Sequence, residues 1–261
     1  MNHSSLKLTI LGSGTSHGVP MIGCRCPVCT SDDPRNRRYR ASALLQFAGR
    51  NVLIDTTPEL RLQALRAGLD RVDAVLMTHQ HADHVAGFDD LRRFGSLQKS
   101  SIDVFAHAET IQRLREMFPY VAEEDVPEHF EIPAVRYRPV TGPFDLFGTT
   151  VTPVPLTHGR WSCYGYRLGN LAYCTDVRDV PPASRELLRG LDTLILGALR
   201  HRPHATHFTV AEALEVIADL RPRRTWLTHI AHDLDHAATN AALPPGVELA
   251  WDGLALDVAE P

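Results

Sequence analysis

Several familiar features are missing from this 261-residue chain, and each absence excludes something. No run of about 18 apolar residues occurs, which excludes a transmembrane helix. Positive charge is not in excess. Lys and Arg total 27 against 31 Asp and Glu, a net charge of −4, so nothing in the charge points to a general nucleic-acid binder. The first residues, Met1-Asn2-His3-Ser4-Ser5, lack a basic flank followed by an apolar core. No signal peptide is read there, and a cytoplasmic location is the expectation. No internal repeat and no low-complexity segment is visible. Cysteine is scarce, five in all, and three of them crowd at positions 24, 26 and 29. That spacing is too tight for an ordinary disulfide framework and suits a metal. What remains is ordinary for a globular protein, with 44% hydrophobic and 22% charged residues. The length is enough for one large domain or two small ones.

The densest chemistry lies in Thr78-His79-Gln80-His81-Ala82-Asp83-His84. It follows the apolar run from Val72 to Met77, which reads as a buried strand. Imidazole and carboxylate are ligands for zinc, manganese or iron(II). His79 and His81 can point the same way, while Asp83 and His84 begin the next turn and can face a second ion. A two-metal pattern of this kind needs further ligands from elsewhere.

Along the chain, Leu6 to Leu11 reads as a strand ending in the glycine-rich turn Gly12-Ser13-Gly14-Thr15-Ser16. The turn lacks the full Walker pattern, and no nucleotide-binding helix follows it. A long polar segment, 17–40, needs something to organise it, and its cysteines are the candidates. Strands at 41–47 and 51–55 form a hairpin, and a helix at 59–67 ends at Gly68. Beyond the histidine motif the expected elements are helices at 89–97 and 108–117 and a strand at 102–106. The Pro-rich segment 118–147 resists assignment. Strands follow at 150–156, 163–168, 171–175, 191–196 and 225–227, with helices at 183–189 and 210–220. Mixed strands with helices in both halves suggest two packed sheets with helices outside.

His158, Asp176 and His229 each follow an apolar strand, where residues from distant sequence can converge. With His79, His81, Asp83 and His84 they make seven ligands, the supply for two metals that share one carboxylate. Cys163 and Cys174 sit in expected strands and read as core residues.

The arrangement of His79-x-His81-x-Asp83-His84, a later lone His158, Asp176 and a terminal His229 resembles the metallo-β-lactamase superfamily over nearly the whole chain. Within it, Gly12-Ser13-Gly14-Thr15-Ser16-His17-Gly18-Val19-Pro20, then Cys24-Arg25-Cys26-Pro27-Val28-Cys29, resembles the phosphoribosyl 1,2-cyclic phosphate phosphodiesterases of the carbon–phosphorus lyase pathway. So does Thr228-His229-Ile230-Ala231-His232. The resemblance implies a four-layer αββα sandwich, one hydrolase domain over 1–261 with a cysteine-bearing zinc loop at about 17–40. It implies a first metal on His79, His81 and His158, a second on Asp83, His84 and His229, and Asp176 as the bridge. It implies a structural zinc on Cys24, Cys26, Cys29 and His232, a closed tetrahedral set. It also implies a homodimer. One position departs from the pattern: many relatives carry an acidic residue where this chain has Gly197, so a second-sphere support for a histidine is missing.

The expected activity is metal-dependent phosphodiester hydrolysis of a small cyclic phosphate or nucleotide-like ester by hydroxide held between two Zn²⁺ or Mn²⁺ ions. Asp83 is counted with the catalytic residues. His207, which matches a histidine the family uses near its active site, is the candidate proton donor to the leaving alkoxide. His201 and His204 read as solvated. Arg92 can meet substrate phosphate bidentately or pair with a neighbouring acid. Ser16 and His17 are candidate pocket residues. Competing readings are a tRNA 3′-processing nuclease, a lactone or thioester hydrolase, and a metal-binding accessory protein of pyrroloquinoline quinone biosynthesis. A small phosphate ester is the favoured partner, nucleic acid a less favoured one, and no membrane is expected.

Overall fold

The computed structural model describes residues 6–123 and 132–258. Six strands of one sheet come first in the chain: β1 (Leu6–Gly12), β2 (Ser42–Phe47), β3 (Arg50–Ile54), β4 (Ala74–Leu76), β5 (Ile102–Ala106) and β6 (Val135–Pro139). Seven strands of a second sheet follow: β7 (Phe144–Leu146), β8 (Thr149–His158), β9 (Trp161–Leu168), β10 (Leu171–Cys174), β11 (Thr193–Gly197), β12 (Arg224–Thr228) and β13 (Val247–Leu249). The last strand, β14 (Ala255–Val258), returns to pair with β1 at the edge of the first sheet. The helices are α1 (Leu60–Ala67), α2 (Ala82–Val85), α3 (Leu91–Gln98), α4 (Ala108–Met117), α5 (Pro182–Leu187), α6 (Val210–Leu220) and α7 (His236–Ala242).

The sheets pack face to face. Leu8, Ile10, Leu45, Val52, Ile54 and Leu76 of the first meet Val151, Tyr166, Tyr173, Ile195 and Trp226 of the second in one core. The alternate residues Leu44, Leu53, Val75 and Val104 face the other way, against Leu60, Leu91, Phe94, Ile111 and Leu114 of α1, α3 and α4. Leu194, Leu196 and Leu227 likewise face Val210, Ala213, Val216 and Leu220 of α6. Strands β4 and β10 are therefore apolar at every position, because both of their faces are covered. The result is the expected αββα sandwich. No helix among the described residues is long and apolar enough to cross a membrane.

The topology places one edge of each sheet in common use. β3 and β4 run parallel, as do β10, β11 and β12. β8 is antiparallel to β9, which is antiparallel to β10, so β8 and β10 point the same way. The residues after β3, β4, β8, β10 and β12 consequently leave their sheets at like ends. The Tyr166 hydroxyl donates to Met77 O (2.7 Å) and Tyr164 N–H to Thr78 O (2.9 Å), which ties the two sheets together there.

Some boundaries differ from expectation. The helix expected at 89–97 opens as a 3₁₀ turn, Phe88–Asp90, and becomes α-helical from Leu91. β6 and β7 lie in the segment the sequence left unassigned, within which 124–131 fall outside the described residues. β6 hides its signal because only Val135 is fully buried, and polar Arg136 and Arg138 follow it. α7 has no apolar stripe and is held instead by its cap, Asp235 accepting from Ala238 N–H at 2.9 Å.

Candidate metal centre

The structure brings all seven expected ligands to this edge. His79, His81 and His158 form one set, and Asp83, His84, Asp176 and His229 form another; within each set the ligand atoms lie within 4.8 Å of one another. His81 Nδ1 is 2.9 Å from His79 Nε2 and 3.2 Å from His158 Nε2. His84 Nε2 is 3.2 Å from Asp83 Oδ2 and 3.1 Å from Asp176 Oδ2. His229 Nε2 is 3.3 Å from Asp176 Oδ1 and 3.6 Å from Asp83 Oδ2. Asp176 Oδ1 also lies 3.7 Å from His158 Nε2, so this one carboxylate touches both sets.

These residues fit a pair of cations. His84 Nε2 and His229 Nε2 are buried beside carboxylates yet make no hydrogen bond. Burial without a partner is costly unless something else satisfies the nitrogen. Burial holds His79 well below the usual imidazole range and so neutral, the form that ligates. Burial alone would raise Asp176, yet the neighbouring His229 and His84 hold it well below the usual carboxylate range. Three carboxylates, Asp55, Asp83 and Asp176, converge on His84 and push it well above the usual value against the effect of burial. A negative excess of this kind, sealed from water, calls for positive charge.

Asp55 was not anticipated as a site residue. It follows β3 as the histidine motif follows β4, and it is fully buried. Its carboxylate accepts from Thr78 N–H (2.8 Å), Thr78 Oγ1–H (2.8 Å) and His84 Nδ1–H (2.7 Å). Thr78 Oγ1, its own proton spent on Asp55, then accepts from His79 Nδ1–H at 3.0 Å. Both rings are thereby fixed with Nε2 free toward the centre. His158 is fixed likewise, Nδ1–H donating to Thr206 O at 2.9 Å. Asp55 and His229 both hold left-handed backbone, φ 64° and 58°, which is uncommon for such residues and clusters at functional sites.

His207 comes to the same place. Its ring stacks on His229 (centroids 4.7 Å, 14° between planes) and lies 4.8 Å from that of His158. Its Nδ1 is 3.7 Å from Asp176 Oδ1. Burial, then the neighbouring His229, pushes it down to about 3, so the resting ring is neutral. It lines a pocket of about 260 Å³ together with Ser16, His17, Arg200 and His204. His204 is thus a wall of the pocket rather than a freely solvated side chain. Arg92 stands apart, half-exposed on α3 with its guanidinium 3.5 Å from Asp89.

The second cluster is also assembled. His232 Nδ1 lies 3.2, 3.3 and 3.7 Å from the sulfurs of Cys24, Cys26 and Cys29. Zn–S bonds of about 2.3 Å and Zn–N bonds of about 2.0 Å at a tetrahedral angle separate S from N by roughly 3.5 Å, so the set fits zinc. The Cys29 N–H draws the Cys26 thiol down to about 6, while burial pushes Cys29 up to about 11. A second anionic sulfur there needs a cation. The loop carries its own small core of Val19, Val28 and Cys29. Arg38, fully buried, donates to Ala231 O (3.0 Å) and Leu234 O (2.8 Å) and ties the loop to the segment bearing His229 and His232. The glycine-rich turn belongs to the same junction. A Cβ at Gly12 would stand 2.0 Å from Arg40 O, and Gly14 bridges to both Arg40 and Ile230. What the turn approaches closely is this protein's own backbone.

Gly197 has an equally local reason. A Cβ there would stand 1.7 Å from the Thr175 carbonyl oxygen, one residue before Asp176. No acidic side chain can occupy the position without displacing that strand end. The fixing of histidines is carried by Asp55 and by Thr206 O instead.

Fold and site together define a metal-dependent hydrolase. Residues 50–230 match the Beta-lactamase superfamily domain. A solved structure described as a new diphosphatase from the PhnP family is 45% identical, covers 97% of this chain and 98% of its own, and superposes with a TM-score of 0.90. The chain belongs to the beta-lactamase superfamily, and within it to the PhnP family. Zinc-bound PqqB from Methylobacterium extorquens shares the fold, with a TM-score of 0.77 at 20% identity over 97% of this chain and all of that one. An octanoyltransferase of Porphyromonas gingivalis (strain ATCC BAA-308 / W83) is 36% identical over 253 residues. That match takes in 95% of this chain and 51% of the relative, so the chain spans about half of that protein's length.

Proposed function

We propose that this protein hydrolyses a phosphodiester or diphosphate linkage of a small substrate at a dinuclear centre. The observation that carries the reading is the joining of two ligand sets through Asp176 with His207 stacked over them. The PhnP-family diphosphatase supports the reaction class. His79, His81 and His158 would hold one divalent ion, Asp83, His84 and His229 the other, and Asp176 would be shared. Zn²⁺ or Mn²⁺ bound there supplies Lewis acidity, neutralises phosphoryl charge and lowers the pKa of a water. Cys24, Cys26, Cys29 and His232 would hold a structural zinc.

The chain's own part is orientation and proton handling. Asp55, through Thr78, and Thr206 O keep three imidazoles in the ligating tautomer. His207, neutral at rest, offers a ring N–H to the leaving oxygen as charge grows on it. Ser16, His17, Arg200 and His204 receive the group that departs. The Arg200 guanidinium bonds only to the carbonyls of Arg202 and Pro203 (both 3.2 Å) among the described residues, which leaves its charge uncancelled for an anionic group. Bis-p-nitrophenyl phosphate, a lactone and a thioester, each assayed with added Mn²⁺ or Zn²⁺, test the reading. Turnover of the diester alone is expected; preferred turnover of the lactone or thioester overturns it.

A further inference from the structure

The three tryptophans of this chain are used in different ways. Trp226 is in the core and Trp251 packs against it. Trp161 belongs to no core cluster among the described residues and is partly exposed. Its position follows from register. β8 and β9 are joined by the two-residue turn Gly159–Arg160, and His158 and Trp161 are directly paired across it. Paired residues of an antiparallel ladder project to the same face. Since His158 faces the metal centre, Trp161 does too. Its ring stands edge-on to His81, 6.0 Å between centroids at 85°. The Arg160 guanidinium lies over the same indole, 4.5 Å from its centroid. Arg160 makes no ion pair among the described residues, whereas Arg92, Arg178 and Arg202 all have acidic partners.

An indole with an uncancelled guanidinium beside a phosphoryl site is a recognisable combination. Indole faces and guanidinium planes both stack on heterocyclic bases. The charge of Arg160 can serve an adjoining phosphate as well. The platform lies on the His81 side of the centre, while His207 and its pocket lie over His229 and Asp176. A substrate whose phosphorus sits at the centre can therefore reach the indole beside His81 as well as the pocket beside His207. A bare sugar phosphate would leave the aromatic side empty.

We propose that Trp161 and Arg160 form a stacking platform for a nucleobase, which makes the substrate a nucleoside-bearing phosphodiester or diphosphate. The proposal rests on the phosphodiesterase reading above and narrows its substrate class.

The test compares adenosine 2′,3′-cyclic phosphate with glycerol 1,2-cyclic phosphate, a base-free cyclic diester, on the metal-loaded full chain. Trp161→Ala should lower the ratio of kcat/KM between the two about tenfold, chiefly through KM for the adenosine ester, the scale of one base stack. Trp161→Phe, which keeps a stacking face, should restore most of the ratio. An unchanged ratio in Trp161→Ala, with turnover retained, overturns the platform and leaves the hydrolase reading intact. A second readout does not need turnover: quenching of tryptophan fluorescence by adenosine 5′-monophosphate, with ribose 5-phosphate as the base-free control. Adenosine 5′-monophosphate should bind the wild type about tenfold more tightly than Trp161→Ala, while ribose 5-phosphate should not distinguish them. If wild type hydrolyses neither ester, the cyclic-diester form of the hydrolase reading fails, and this titration alone decides the platform: equal affinities in the two proteins overturn it.

Discussion

Asp55 Oδ2 accepts hydrogen bonds from His84 Nδ1 at 2.7 Å and from Thr78 Oγ1 at 2.8 Å, and through Thr78 it also sets the ring of His79. One carboxylate that touches neither ligand nitrogen thus orients a histidine of each metal set. Asp55→Asn keeps the shape but cannot accept from all three donors. It should weaken metal binding about 10- to 100-fold. Activity should return when metal is supplied in excess. A metal-titration midpoint equal to that of wild type would show that Asp55 is only a packing residue.

His207→Ala should leave metal content intact, since seven other residues stand where they would supply the ligands. Turnover should fall by a factor of about 10² to 10³ where the leaving group is an alkoxide, because the neutral ring stabilises the growing charge through its N–H. A nitrophenolate carries that charge on its own ring, so the loss on bis-p-nitrophenyl phosphate should be the smaller. Equal losses on a cyclic ribose phosphate and on the nitrophenyl ester would make His207 a positioning residue. Lost metal would make it a ligand.

The convergence of the seven candidate ligands was legible because each sits in a short polar segment right after an apolar strand, and because their residue types are few and unusual in combination. Their supports were not. Asp55 is a single aspartate after a strand, no different in sequence from a turn residue, and Thr206 acts through its backbone carbonyl. Trp161 escaped notice because its role comes from hairpin register with His158. The fold was legible wherever both faces of a strand are covered, as in β4 and β11. β6 was not, since its polar side chains mask a strand that burial marks only at Val135. For Arg92 the sequence left two directions open, toward a phosphate or toward a neighbouring acid, and packing turns the side chain toward Asp89.

Gly197→Ala should be among the most damaging single-atom changes in the molecule. The added Cβ meets a backbone oxygen at 1.7 Å, which must move, and the displaced strand end carries Asp176. Overpacking of this kind costs about 1–3 kcal/mol or more. A lower Tm and weakened active-site metal binding are expected together. Wild-type values of both would mean that β11 accommodates a methyl group by shifting away from β10.

Cys26→Ser removes one sulfur from the cluster around His232. It should lose one zinc per chain and lower Tm, because metal held by the folded chain contributes to folding free energy. The two active-site ions should stay, since their ligands are separate residues. An unchanged Tm and zinc content would show that the cysteines hold no zinc.

The most direct test of the account is a metal titration of chelator-stripped protein whose cysteine site has been refilled with zinc. Mn²⁺ is added stepwise while hydrolysis of bis-p-nitrophenyl phosphate is followed. The account predicts no turnover at the start, full turnover at two further equivalents per chain, and neither binding stoichiometry nor turnover restored in Asp176→Ala. Turnover without added metal, or an Asp176→Ala variant that binds two ions and turns over like wild type, would contradict it.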